Sequence, residues 1–353
     1  MSENQNKMDT TTENIVSENQ NTKPEIKQPP VLFKETQASI DRLEKILGMP
    51  LVVYWNSYNG GVCQNDVLAL YEIFKKIGKH EKVALFIKSS GGNTEAALRM
   101  VNIIRNYNSN VTALVPLESA SSATLIVLGA DEIHMGPLAY LTPIDSSTVH
   151  QLAPVDTVNN RKVRISHDEL TRISKLWKQN SEGSEVHHYQ ELYKYIHPLV
   201  LGSLDRSSSL SIKICKEILS YHLKDEEECE RISQQLNNDF PSHSYPIVLK
   251  EAKSIGLNAK ELDLAVHDLL LNLNNYYSEM GNKAFTDFDE FNYHDNQILN
   301  ILEAKGIQLY YQNDKDWSYI KEERRWQVLN DESYWHKNED VDGEMAHSIV
   351  YMS

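Results

Sequence analysis

Cysteine is scarce. The chain of 353 residues carries three, Cys63, Cys215 and Cys229, scattered and never in a C-x-x-C pair. That excludes a disulfide framework and a cysteine zinc site, and it fits a reducing, cytoplasmic setting. Long apolar runs are missing too. None approaches the roughly 18 residues of a membrane span, and the polar N-terminus has no signal-peptide core. Positive charge is in deficit: 35 Lys and Arg stand against 50 Asp and Glu, for a net charge of −15. The basic footprint that nonspecific nucleic-acid binding needs is therefore absent. There is no P-loop and no G-x-G-x-x-G after a strand pattern, so no nucleotide role is visible. Residues 1–30 hold almost no large apolar side chains. They cannot bury enough surface to offset ordering entropy, and a disordered tail is expected there.

What the chain does have is a core. It is 41% hydrophobic, and the length suits one large α/β unit with additions. Residues 36–47 carry Ile40, Leu43, Ile46 and Leu47 near helical spacing. Residues 51–55 are β-branched and aromatic, a first strand, and Asn59-Gly60-Gly61 is turn chemistry. Strand and helix patterns then alternate: helix 66–77, strand 83–87, helix 94–107, strand 111–115, helix 120–128 and strand 132–135. The runs at 83–87 and 111–115 are too continuously apolar to have a wet face. Alternation of this kind predicts a mostly parallel sheet with right-handed crossovers and catalytic groups at the carboxyl ends of its strands. Further on, helices are expected over 167–178, within 186–223 with an interruption at His197-Pro198, over 225–236, before Gly256, over 262–277 and over 297–305, with a strand at 308–311. The aromatics beyond residue 310, among them Trp317, Trp326 and Trp335, read as a small domain's core or as a surface for a protein partner.

Two strand-turn-helix junctions stand out. One is Gly91-Gly92, between residues 83–87 and the helix from Thr94; the other is Ser119-Ala120-Ser121-Ser122-Ala123, between residues 111–115 and a helix apolar nearly all round. Glycines let backbone N–H groups approach a carbonyl without a Cβ in the way. A serine at a helix start, beside unpaired N–H groups, is placed to attack that carbonyl. The plainer reading of such a serine is a helix cap, and that reading suits Ser119 and Ser122.

The Gly91-Gly92 turn, the Ser-Ala-Ser-Ser-Ala cluster before LIVLGADEI, and the helix EAKSIGLN together resemble the ClpP/crotonase superfamily over about residues 50–260. Within it, the serine dehydrogenase proteinases, relatives of signal peptide peptidase A, are most similar. The resemblance implies a fold of stacked ββα units with helical additions and a C-terminal extension. It divides the chain into a tail (1–30), a serine protease domain (31–260) and a helical, aromatic and acidic extension (261–353). It implies a serine peptidase working through an acyl-enzyme on Ser121, with an oxyanion hole from Gly91, Gly92 and Ser122. It also implies a peptide or protein substrate, a homo-oligomer, and no cofactor or metal.

The general base departs from the family pattern. Where ClpP-like proteases carry their histidine, this chain has Ile144-Asp145. Relatives of signal peptide peptidase use a lysine further along, and Lys162 and Lys175 fall near that window, each also readable as a surface lysine. His243, in Pro241-Ser242-His243-Ser244, lies near the slot of the family's acidic residue, so His243 and Asp145 could exchange roles in chain order. His243 could equally be a loop histidine, and Asp145 a helix or turn cap. His187, His188 and His197 read as surface histidines. Two other readings remain: a silent scaffold or binding protein, and a crotonase-like acyl-CoA enzyme whose oxyanion donors hold a thioester enolate.

Overall fold

The computed structural model describes residues 24–145, 147–148, 150–156, 161–163, 165–166, 169–170, 172–173, 175–176 and 192–352. Most of the expected tail, and His187 and His188, lie outside the described residues. Within the helix expected over 167–178, the described residues 169–170, 172–173 and 175–176 are helical, while the first part of the one within 186–223 lies outside the described residues.

The first half of the chain alternates as expected. Helix α1 (Phe33–Leu47) precedes β1 (Leu51–Asn56), α2 (Gln64–Ile77), β2 (His80–Lys88), α3 (Thr94–Tyr107) and β3 (Asn108–Val115). The short β4 (Glu118–Ser119), α4 (Ser122–Leu128), β5 (Glu132–Met135) and β6 (Tyr140–Leu141) follow. Four two-residue strands, β7 (Ser147–Thr148), β8 (Val155–Asp156), β9 (Arg161–Lys162) and β10 (Ile165–Ser166), make two small side ribbons. Then come α5 (Pro198–Leu219), α6 (Glu226–Asn238), α7 (Leu249–Ile255), β11 (Ala259–Glu261) and α8 (Leu264–Met280). The chain ends in β12 (Ala284–Asp289), β13 (Asn292–Ala304), β14 (Ile307–Ile320), β15 (Arg325–Asp331), β16 (Tyr334–Val341) and β17 (Glu344–Val350).

The fold is α/β with a parallel core. Strands β11, β5, β3, β2 and β1 run parallel, and all six residues of β1 are buried. The apolar runs had no wet face because helices cover both. On one face α2, α3, α4 and parts of α5, α6 and α7 bury Tyr54, Leu85, Ile87, Ala113 and Val115. On the other, α1 and α8 bury Leu51, Val53, Phe86 and Leu114. A third, smaller cluster joins Ala153 and Ile165 to Val200 and Leu204 of α5. The acidic start of α6 is local chemistry: Asp225 caps the amides of Glu227 and Glu228, and carboxylates suit the helix's positive end.

The sheet does not stop at β1. Strand β13 pairs antiparallel with it, and β14, β16 and β17 continue outward, with β12 and β15 alongside. The expected helix at 297–305 is therefore wrong: these residues belong to β13, while the strand expected at 308–311 lies in β14. The reason is a bulge. Ile298 pairs with Gln312 and Asn300 with Tyr311, so Leu299 is an extra residue. The bulge reverses the alternation, putting Ile298 and Ile301 on the α1/α8 face and Leu302 and Ala304 on the other. Apolar residues at 298, 301 and 302 then imitate helical spacing. Likewise the region after 281 is built of strands, not helices.

Candidate active site

Both glycine and serine junctions lie at the carboxyl ends of neighbouring strands, and backbone hydrogen bonds lock them together. The amide of Ser89 donates to Glu118 O (3.2 Å) and that of Ala120 to Ser89 O (2.9 Å). The two turns are consequently in contact. A Cβ built on Gly91 would lie 2.8 Å from Ser121 Cβ, 2.6 Å from Ala120 O and 3.2 Å from Ser122 N. Only glycine fits there, and its φ of +96° is also glycine's.

Ser121 is the N-cap residue of α4 in position only. Its φ of 52° and ψ of −120° are rare for a side-chain-bearing residue, and its hydroxyl makes no capping hydrogen bond. The capping reading therefore does not hold for it. Strain of this kind costs about 1–3 kcal/mol and persists where the surroundings over-determine it. Here the surroundings are two threonines that sequence patterns did not single out. The Ser121 amide donates to Thr142 Oγ1 (2.8 Å). Thr124 Oγ1 donates to Ser119 O (2.8 Å) and Thr142 O (3.0 Å). Both threonines are buried. Thr142 falls three residues before Asp145, at the end of β6, and that closeness was the only signal available.

The Gly91 amide donates to Ser89 Oγ at 3.1 Å. Among the described residues, neither the Gly92 nor the Ser122 amide donates to a backbone carbonyl. Ser119 and Ser122 are buried, and neither hydroxyl has a hydrogen-bond partner among the described residues.

Asp145 and His243, 98 residues apart, are joined by a 2.8 Å hydrogen bond between Asp145 Oδ1 and His243 Nδ1. A carboxylate only accepts, so Nδ1 donates this bond, and in the neutral ring Nε2 is then the acceptor nitrogen. The Asp145 side chain is 12% exposed and that of His243 43%. Asp145 is not the N-cap residue of any helix among the described residues. The loop that carries His243 is pinned beside the serine turn. Leu141 and Ile247 exchange hydrogen bonds of 3.0 and 2.9 Å, one residue before Thr142 reaches the Ser121 amide, and Ile144 N donates to Leu236 O. Lys162 is exposed in the β8–β9 ribbon and Lys175 is exposed as well. His197 caps α5 through Nδ1, which accepts from the Leu199 amide. Among the described residues, no group of three or more His, Cys, Asp or Glu is placed to hold a metal ion, and no helix is long and apolar enough to cross a membrane.

Residues 36–192 match the Clp protease family. That span, 157 of the 353 residues, is similar to the Clp proteases. The matched span contains Gly91-Gly92, Ser121, Asp145 and Lys162 and stops before His243. An uncharacterized protein of Methanocaldococcus jannaschii is 24% identical over 182 residues, 51% of this chain and 54% of the other. The chain thus spans about half the length of the curated relative it matches. Similar solved structures include a mutant of the 1510-N membrane-bound stomatin-specific protease in complex with a substrate peptide, 14% identical with a TM-score of 0.35, covering 63% of this chain and 78% of that one. Another is ClpP1 from Listeria monocytogenes, 13% identical with a TM-score of 0.34, covering 67% and 99%. Likeness at these scores assigns no roles to residues.

The glycine turn carries a test of its own. Gly91→Ala is expected to cost at least about 2 kcal/mol of stability, because a Cβ there meets backbone as well as an unfavourable φ. Gly343→Ala has a similar φ of +87° and nothing within 4 Å, so it should cost only the backbone part. Urea unfolding of both separates the two effects; equal losses would show that the packing against Ser121 is slack.

Proposed function

We propose that the chain is a serine peptidase that cleaves peptide bonds through an acyl-enzyme on Ser121. The observation that carries this is the strained, non-capping Ser121 held with its Cβ against a glycine that no other residue can replace. Ser121 Oγ attacks the scissile carbonyl while His243 Nε2 takes its proton and later passes it to the leaving amine. Asp145 holds the imidazole through Nδ1 and balances the imidazolium that forms. The Gly92 and Ser122 amides receive the oxyanion, with Gly91 admitting the close approach. Water then hydrolyses the ester. His243 is preferred to Lys162 and Lys175 because a lysine base needs burial to lose its proton, and both lysines are exposed. In this reading residues 31–260 form the protease domain and 261–353 extend its sheet. The substrate is a peptide or protein, the particle a cytoplasmic homo-oligomer that restricts access, and the chemistry needs neither ATP nor a cofactor.

A fluorophosphonate probe tests the proposal. One adduct should form, and it should map to Ser121; a wild-type protein that takes no label ends the proposal. His243→Ala is expected to slow labelling by about a hundredfold to ten-thousandfold, the usual contribution of a positioned base. Labelling that survives His243→Ala but fails in Lys162→Ala would move the base to the lysine. A protein that takes no label but binds an acyl-CoA would favour the crotonase-like chemistry.

A further inference from the structure

Four backbone segments meet closely at this site. A Cβ on Gly60 would lie 2.2 Å from Leu299 O, one on Gly61 2.7 Å from Gly91 O, and one on Gly91 2.8 Å from Ser121 Cβ. Contact thus runs from the bulge of β13, through residues 60–61, to the glycine turn and the serine. The bulge is pinned from just beyond β1, where the Ser57 amide donates to Leu299 O at 2.8 Å.

The next residue is Asn300. Its Nδ2 donates to Gly61 O (2.9 Å) and to Asp66 Oδ1 (2.8 Å), and its Oδ1 accepts from the Gly61 amide (3.3 Å). Asp66, fully buried at the start of α2, accepts on Oδ2 from Tyr54 OH (2.7 Å) and from the Cys63 amide (2.8 Å). Residues 61 and 63 are therefore held by side chains, and Val62 between them grips the glycine turn. The Val62 amide donates to Gly91 O (2.9 Å), and Val62 O accepts from the Asn93 amide (2.8 Å).

The consequence lies in one peptide plane. Gly91 C=O and Gly92 N–H belong to the same trans peptide and point in opposite directions. Gly-Gly has little steric preference to keep that plane from rotating. Holding Gly91 O on Val62 N–H fixes where Gly92 N–H points. We propose that Asp66 and Asn300 are positioning residues that aim the Gly92 amide at the reacting carbonyl. Strand β13, far beyond the family match, is then the back wall of the oxyanion turn. The catalytic part of this inference rests on the peptidase reading; the clamp itself does not.

Two measurements separate them. The first is turnover of a fluorogenic peptide. Asn300→Ala is expected to lower kcat by about tenfold to a hundredfold, as a misaimed group does, with KM within about threefold of wild type. Glu303→Gln is the control for stability alone: it lies on the same strand, and its carboxylate faces α1 and α8 instead. It should keep kcat within about twofold despite a lower unfolding midpoint. Equal losses of kcat in the two variants would overturn the proposal. The second is amide hydrogen exchange in a Ser121→Ala background, which needs no activity. Asn300→Ala should speed exchange in the peptide covering residues 89–93 by at least about tenfold while β2 and β3 stay protected. Unchanged protection there would overturn the clamp. If wild type neither turns over nor labels, the peptidase reading falls and the exchange result still decides the clamp. Should Asn300→Ala not fold, Asp66→Asn, which keeps the side chain's shape, is read in the same two ways.

Discussion

Ser121→Ala should abolish peptide hydrolysis, lowering kcat roughly ten-thousandfold or more, and should remove the fluorophosphonate adduct completely. The size follows from the proposed chemistry: on that reading, no acyl-enzyme forms without Oγ, and the two amides would only polarise a carbonyl for attack by water. A companion variant makes the prediction sharper. At φ 52° and ψ −120°, Ser121 occupies a conformation that glycine adopts freely. Ser121→Gly should therefore raise the unfolding free energy by about 1 kcal/mol while activity disappears. Retained activity in Ser121→Ala would place the nucleophile elsewhere. A Ser121→Gly variant less stable than wild type would show that the serine conformation is not strained.

Between about pH 4 and pH 7 two buried carboxylates should make the protein less stable as pH rises. Burial pushes Glu303 from 4.5 up to about 7, against the pull of four donors: Thr36 and Gln37 from α1, Gln308 from β14 and Tyr277 from α8. Burial likewise pushes Asp66 from 3.8 up to about 6, against Tyr54, Asn300 and the Cys63 amide. A group whose folded pKa is raised binds its proton more tightly in the folded state. Its contribution is complete below the unfolded value and is lost as pH climbs through the folded one. Shifts of this size correspond to roughly 3 kcal/mol for each group. Carboxylates held low by lysine or arginine, such as Asp41 at about 2 and Glu339, act in the opposite sense and only at more acid pH. Chemical denaturation at about pH 5 and about pH 8 checks this. The stability advantage of wild type over Glu303→Gln should be larger at the acid value by about 3 kcal/mol. An advantage independent of pH would mean that Glu303 stays ionised, its four donors outweighing burial.

The parallel core was legible because each of its strands solves a local problem in the same way. Residues 83–87 and 111–115 are apolar on both sides, and only a sheet covered on both faces accepts that. The serine and glycine turns were legible because small residues at two strand-helix junctions are a local pattern. Beyond residue 281 local pattern misled. At Leu299 one extra residue turns the two-residue period of a strand into the spacing of a helix, and nothing within 297–305 marks the bulge. Its cause lies in β1 and in residues 57–61, far away in sequence.

The same division separates the residue types at the site from their roles. The chain order alone determined which side chains can do chemistry: a hydroxyl at 121, a carboxylate at 145, an imidazole at 243, and glycines where backbone must come close. Position in space decided which of them meet. The Ser121 hydroxyl is not used as a cap because Thr142, Thr124 and Gly91 hold its backbone out of capping geometry. Asp145 and His243 meet because β6 pairs with Ile247, a contact no local pattern encodes. Asp66 and Asn300, 234 residues apart, share a buried hydrogen bond because β13 returns to lie beside β1. Local propensities act over a few residues, whereas the partners of a buried polar group are chosen by the packing of the whole sheet.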